Sequence, residues 1–308
     1  MSDSEKRTRL MQLFHGETCD RPPVAYWHHF YPEGEASKLA YETAKFYWQF
    51  DADFAKIMPD IPFMLPDNAI QRGIDWDYLA PVSFAEGNAE QYVKTVSETR
   101  KLIGPEAVLL ATVFSPLAYL QYFIGLDRVA HLGEEPSARV HRALAAIARN
   151  VNAVCREIIA AGADGIYYSV WGSDILSSQA YCEFGRPYDL MGFDGARGSQ
   201  FNILHVHGAA NPQLNLFKDY PAKVVSWSCL TSGVGLLEGK KLLGGKIPMG
   251  GVEELGEHLT RGTNLDLVVA QGQAAAQELS NQCIVAPGCS LPDDVSPEIL
   301  RAIRKSVE

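Results

Sequence analysis

The sequence predicts an α/β chain, a (β/α)8 TIM barrel built as a single domain over residues 1–308. Three observations predict it. Short apolar runs recur eight times, longer helical patterns lie between them, and polar or ligand-type residues gather where the runs end. Eight strand–helix units is the count of that barrel, and its functional side chains sit at the C-terminal ends of the strands.

The runs are Pro23–Trp27, Phe54–Met58, Val108–Val113, Gly165–Val170, Asn202–His207, Val224–Trp227, Lys246–Gly250 and Gln282–Ala286. Each is rich in β-branched or aromatic residues and is closed by Gly, Pro or polar residues. Most are too continuously apolar for a sheet with one wet face, which points to strands buried on both faces of a parallel sheet. The helical stretches are Pro136–Ala161, Ser178–Gln200, Val252–Leu279 and Ser296–Val307, with apolar residues recurring every three to four positions. Pro66 to Arg100 breaks the pattern and predicts an inserted loop or hairpin after the second run. A doubly wound open sheet would carry a Gly-rich phosphate turn after the first run, and PVAYWHHFYPEGE has none.

Composition narrows the class. With 47% apolar and 21% charged residues the chain is ordinary globular material, not a disordered one. Lys plus Arg is 27 against 37 Asp plus Glu, a net charge of -10. That argues against a nucleic-acid or anionic-membrane binder, which needs a basic surface. The first ten residues, MSDSEKRTRL, lack the apolar centre of an export signal, and no run approaches the roughly 18 apolar residues of a membrane span. The six cysteines form no C-x-x-C pair. These observations set the expectation of a cytoplasmic enzyme with reduced thiols and a small-molecule substrate.

The run ends carry the chemistry. His205 and His207 are two apart on one strand and so share a face. Cys289, after the last run, can reach over the same mouth. Two imidazoles and a thiolate make a zinc set with a fourth position open; the same histidines could instead only hydrogen-bond substrate, with Cys289 a loop thiol. Asp60 ends the second run and could serve as acid, base or anchor. Tyr122 and Ser169 can donate hydrogen bonds. His28 and His29 adjoin, so only one can face the lumen. Trp171 and Trp227 belong to the core or line an aromatic substrate pocket. No Ser-His-Asp order or nucleophile elbow occurs.

Read together, Arg21-Pro22-Pro23-Val24, Phe50-Asp51-Ala52-Asp53, Pro59-Asp60, Ser115-Pro116-Leu117-Ala118, Ala161-Gly162-Ala163-Asp164-Gly165, Leu204-His205-Val206-His207-Gly208 and Pro287-Gly288-Cys289-Ser290-Leu291-Pro292 resemble the uroporphyrinogen decarboxylase superfamily over nearly the whole chain. The resemblance implies a (β/α)8 barrel and places Asp60, Tyr122 and Ser169 at the decarboxylases' catalytic Asp, Tyr and Ser. The departures separate the branches. The decarboxylases carry Arg-Gln-Ala-Gly-Arg after the first motif to hold substrate carboxylates; here Ala25-Tyr26-Trp27-His28-His29-Phe30 stands there, and no arginine occurs between Arg21 and Arg72. Their late Gly-His-Gly is replaced by Gly288-Cys289-Ser290. The zinc methyltransferases, which move methyl groups between corrinoid proteins and thiols, carry His-x-Cys and a later Gly-Cys; His205 and Cys289 match, and His207 stands for the first Cys.

The expectation is therefore a zinc-dependent methyltransferase with His205, His207 and Cys289 as ligands, Asp60, Tyr122 and Ser169 as catalytic residues, and His28, His29, Trp171 and Trp227 around substrate. The methyl donor would be a corrinoid on a partner protein or a small methylated compound. The alternatives are a metal-free, decarboxylase-like lyase acting on a smaller acid, and a noncatalytic ligand or corrinoid-protein binding module.

Overall fold

The structure, a computed structural model, describes every residue except 1, 32, 64–78, 80, 136 and 209. Seven parallel strands pair in chain order: β1 (Phe54–Ile57), β2 (Val108–Phe114), β3 (Gly165–Val170), β4 (Ile203–Val206), β5 (Val224–Ser226), β6 (Ile247–Val252) and β7 (Ile284–Pro287). Seven of the eight expected runs thus form strands, and helices connect them as the α/β pattern requires.

The first run is the exception. Pro23–Trp27 makes one bridge, Val24 to Val285, with Val285 N donating to Pro23 O and Ala25 N to Val285 O. Toward β1 its one backbone bond runs from Asp53 N to Val24 O, 2.8 Å. The reason is chemical. Pro22 and Pro23 have no N–H to give, and the Val24 N–H is already donated to the Asp53 carboxylate. The hydrogen-bonded sheet is therefore seven-stranded, with the Val24 segment lying between its two edges and not closing it as an eight-strand ladder.

Strand alternation sorts the side chains into two cores. Leu109, Ala111, Val113, Ile166, Tyr168, Leu204, Val206 and Val225 point outward into the helical layer. Phe54, Val108, Leu110, Tyr167, Ile203, Val224, Met249, Ile284, Ala25 and Trp27 point inward and fill the lumen. Leu10, Leu13 and Phe14 join the inner core. They come from the helix Asp3–His15, which starts in a capping box between Ser2 and Glu5. Its Arg7 bonds carbonyls of Pro105, Glu106 and Ala107, just before β2, so the helix stoppers the N-terminal end of the strands.

The long helix Ser137–Ala160 matches its predicted stretch closely, and Pro297–Lys305 lies within its own. Two stretches expected to be single helices are broken. Ser178–Phe184 and Arg186–Phe193 meet at Gly185, where a Cβ would fall 2.8 Å from the Tyr181 ring. Glu257–Arg261 and Leu265–Glu278 are separated by Gly262 and Asn264, both left-handed. The loop or hairpin expected over Pro66–Arg100 is corrected in its second part. Gly87–Ile103 is an amphipathic helix that buries Ala89, Tyr92, Val96 and Ile103; residues 64–78 lie outside the described ones. No helix among the described residues is long and apolar enough to cross a membrane.

One buried charge network ties the unpaired segment to the sheet. Asp53 is fully buried and takes Arg9 Nη1 at 2.8 Å, Arg21 Nη1 at 2.9 Å and the Val24 N–H at 2.8 Å. Removing one partner of a buried ion network leaves the others desolvated and unpaired, a cost of ~3–5 kcal/mol. The Asp53→Ala protein is expected to lose stability on that scale in urea unfolding. A loss under about 1 kcal/mol, the size of an exposed ion pair, would show that the network does not hold the segment.

A second buried carboxyl sets a pH dependence. Asp189 accepts hydrogen bonds from Tyr181 Oη (2.6 Å) and Tyr220 Oη (2.8 Å), while its Oδ1 is buried without a partner. Burial pushes its pKa up to about 7 against these hydrogen bonds. The folded chain therefore keeps a proton that the unfolded chain has lost between the ordinary value of 3.8 and about 7. Its contribution to stability is complete below that window and declines as pH rises through it. Urea midpoints taken across this range should fall less steeply with pH in Asp189→Asn than in the parent; parallel curves would refute the assignment.

Candidate functional site

The strands are parallel, so all their C-terminal ends open at one mouth, opposite the Asp3–His15 helix. His29 and Asp60 meet there. His29 Nδ1 lies 2.5 Å from Asp60 Oδ1, and the Phe30 N–H donates to Asp60 Oδ2 at 2.7 Å. Both carboxylate oxygens are thus engaged, one by a ring nitrogen and one by backbone. This pins the loop after Trp27 to the end of β1.

On the next strands the site is aromatic. Trp171 Nε1 donates to Ser169 Oγ at 3.1 Å, and the Trp171 ring stacks on His207, centroids 4.2 Å apart and planes 15° apart. Tyr122 lies 5.9 Å from Trp171 and 6.4 Å from Phe114. Tyr122, Ser169, Trp171 and His207 therefore form one wall of the mouth.

Deeper in the lumen, His205 is fully buried. Its ring lies 4.4 Å from Trp27 and 5.9 Å from the ring of His207. Its Nδ1 lies 3.3 Å from Ser226 Oγ, and its buried Nε2 has no hydrogen-bond partner among the described residues. Burial holds the pKa of His205 well below the usual value, with further lowering from His207 and Lys56; burial also lowers that of His207. Both imidazoles are neutral at neutral pH, the form that binds metals.

Cys289 is half-buried beyond β7, its Sγ 4.0 Å from Ser290 Oγ. Burial raises its pKa, helped by the Glu254 carboxylate and opposed by bonds to Ser290. The three expected zinc ligands share the mouth end of the sheet. Among the described residues, however, no three His, Cys, Asp or Glu side chains stand close enough together to hold a metal ion.

Two expected substrate residues lie elsewhere. His28 points outward, its Nε2 3.1 Å from Asp293 O and its ring against Phe30 and Phe46. Strand alternation sends Trp27 inward and therefore His28 outward, leaving His29 at the mouth. Trp227 is fully buried in the outer core, bonded through Nε1 to Val234 O, and its ring closes on Gly239, where a Cβ would clash at 2.2 Å. Neither lines the mouth.

Two residues not singled out in the sequence belong to the site. Glu254 follows β6 and is 2% exposed; Thr231 Oγ1 donates to its Oε1 at 3.4 Å, and its Oε2 has no partner. It fits beside Gly288, where a Cβ would lie 2.8 Å from Oε2. Lys56 projects from β1 into the lumen, its Nζ 3.3 Å from the centroid of Trp27 and 4.4 Å from that of Tyr167. The visible signal was a lysine alternating with Phe54 and Met58 inside an apolar run.

With this geometry in place, comparison with known proteins identifies the class. The family model described as uroporphyrinogen decarboxylase (URO-D) matches residues 65–308. The chain belongs to that family. No curated protein matches the sequence. Among solved structures the chain is similar to a methyltransferase from Methanosarcina mazei, at 16% identity and a TM-score of 0.78 over 98% of this chain and 97% of that one. It also resembles a protein described as a vitamin-B12-independent methionine synthase from Listeria monocytogenes, at 10% identity and a TM-score of 0.55 over 88% and 86% of the two chains. At these identities the likeness is one of fold.

Thiol labelling checks the placement of the cysteines. Cys182 is exposed and Cys289 half-buried; Cys19, Cys155, Cys229 and Cys283 are buried. Iodoacetamide under native conditions should alkylate Cys182 first and Cys289 more slowly, with the Cys289 rate climbing on raising the pH because the thiolate reacts. The other four should resist until the chain unfolds. Early labelling of Cys155 or Cys283 would contradict the fold.

Proposed function

We propose that this chain is a zinc-dependent methyltransferase of the uroporphyrinogen decarboxylase superfamily, a single barrel domain over residues 1–308 that transfers a methyl group between a corrinoid or small methylated donor and a thiol-type acceptor. The observation that carries the reading is the partnerless Nε2 of His205, buried beside a second neutral imidazole at the mouth. A buried ring nitrogen left unbonded is costly, and a metal is the partner that a His-x-His pair with a nearby cysteine suits. The fit is one of donor type. It consists of two neutral imidazoles, their ring centroids 5.9 Å apart, with the Cys289 thiol at the same end of the sheet.

His205, His207 and Cys289 would hold the zinc, which when bound supplies a Lewis acid that keeps an acceptor thiol as its thiolate. The remaining steps belong to the chain. Ser226 fixes the ring of His205 through Nδ1, leaving Nε2 without a hydrogen bond among the described residues. Trp171, oriented by Ser169, holds His207 in plane. Tyr122 and Trp171 offer an apolar wall to the bound acceptor and exclude water. A corrinoid on a partner protein would approach from the mouth, because the other end of the lumen is filled.

The lyase alternative asks Asp60 to act on substrate, yet both its oxygens are already bonded to His29 and Phe30. Its geometry supports an anchor for the mouth loop.

Zinc content and thiol protection test the reading together. The zinc-supplied protein is expected to hold one equivalent of zinc, lost in His205→Ala and in Cys289→Ala while the fold persists. Zinc should slow alkylation of Cys289 at least tenfold and leave Cys182 unaffected, since a protein sulfur held on the metal is shielded from the reagent. Wild-type protein that takes up no zinc, or Cys289→Ala that keeps full zinc and full activity, would overturn it.

A further inference from the structure

Lys56 is a buried cation in the lumen that the proposed reaction does not use. It is 8% exposed, and the nearest recorded partner of its Nζ is the Met58 sulfur at 2.9 Å, a weak acceptor. Asp60, the carboxylate acting on it, is committed to His29 and Phe30. Around it the lumen is short of acceptors. Trp27 Nε1, over whose ring the ammonium lies, makes no hydrogen bond of good geometry among the described residues. Thr112 Oγ1 and Tyr167 Oη, on residues in register on β2 and β3, are likewise buried and unbonded, although Ser226 and Trp27 both approach the Tyr167 hydroxyl. Lysine and indole can only donate, and the two hydroxyls can donate as well.

We propose that this floor of the lumen, formed by Lys56, Trp27, Thr112 and Tyr167, is a subsite for a carboxylate, and that the substrate bound at the mouth carries one. A group that only accepts hydrogen bonds and brings one negative charge is the partner that this donor-rich cluster lacks. A carboxylate fits better than a phosphate, because one ammonium balances one charge and the Asp60 carboxylate would repel a second. Burial holds the proton affinity of Lys56 well below that of free lysine; an anion beside it restores the charged form. The aromatic rings against Nζ keep the ammonium's position without competing for its hydrogens. The subsite deepens the proposed function and rests on it for the role of its occupant, but its binding is independent of zinc.

The test uses the full-length protein freed of zinc by chelation, titrated calorimetrically with propionate and with propionamide, its neutral isostere. Wild type should prefer propionate by about tenfold or more, the size of one charge-assisted bond to a buried group. Lys56→Met should erase the preference while keeping its circular dichroism and an equal or higher urea midpoint, since it replaces a buried charge with an apolar chain. Thr112→Val, which leaves the lysine in place, should weaken propionate severalfold and decides the matter if Lys56→Met does not fold. Equal affinity of wild type for the two probes, or undiminished propionate binding in a folded Lys56→Met or in Thr112→Val, would overturn the subsite. Failure of zinc uptake alone would leave it standing, and loss of the propionate preference in a protein that still binds zinc would overturn the subsite and spare the zinc reading.

Discussion

Asp53 holds the architecture together at its weakest seam. A proline pair prevents the segment before Trp27 from completing a ladder, so backbone pairing alone cannot fix it. The Asp53 carboxylate substitutes for the missing bonds by gripping the Val24 N–H and drawing in Arg9 from the N-terminal helix and Arg21 from the segment itself. Trp27 and His29 follow within five residues, so the seam also sets where the lumen's large indole and the mouth's Asp60 partner lie. Buried ion networks contribute little net stability but are costly to break, which suits a joint whose work is placement.

From that joint the period-two alternation of the strands distributes the chemistry. Inward positions low in the strands are apolar and packed against Leu10, Leu13 and Phe14. Above them the inward positions are Lys56 and Thr112, and nearer the mouth Ser169, His205 and Ser226. The polar groups thus form upper layers on a sealed apolar base, an environment where few waters compete and each unpaired donor is expensive.

Strands were the legible part of the sequence, since a run such as Gly165–Val170 is apolar on both faces and reads as buried whichever way it is turned. Helix continuity was less so, because the break at Gly185 depends on how the Tyr181 ring is turned and the one at Gly262 on Ser296, at the start of a helix distant in the chain. The histidine pair was readable because strand alternation is a local rule. Which of His28 and His29 faces the mouth follows from the phase of one poorly paired segment, and that phase is fixed by Asp53, some 30 residues away. Trp227 was misplaced for a similar reason: its fully buried ring fits the bare surface of Gly239, a pairing that only the folded chain reveals. Lys56 and Glu254 carried the weakest signals, since a single charged residue in or after an apolar run usually lies on the surface.

The stoppered lumen has a consequence for traffic. A vessel open at one end has a single doorway, so whatever enters must leave by the same route. A small compound that reaches the floor has to be seated before any bulky second reactant docks over the opening, and that reactant has to depart before the small product can escape. For the two-substrate transfer proposed above, the Asp3–His15 helix, by closing the far end, would impose a compulsory order and make undocking the natural slow step. A chain with the same mouth and a pierced base would be free of both constraints.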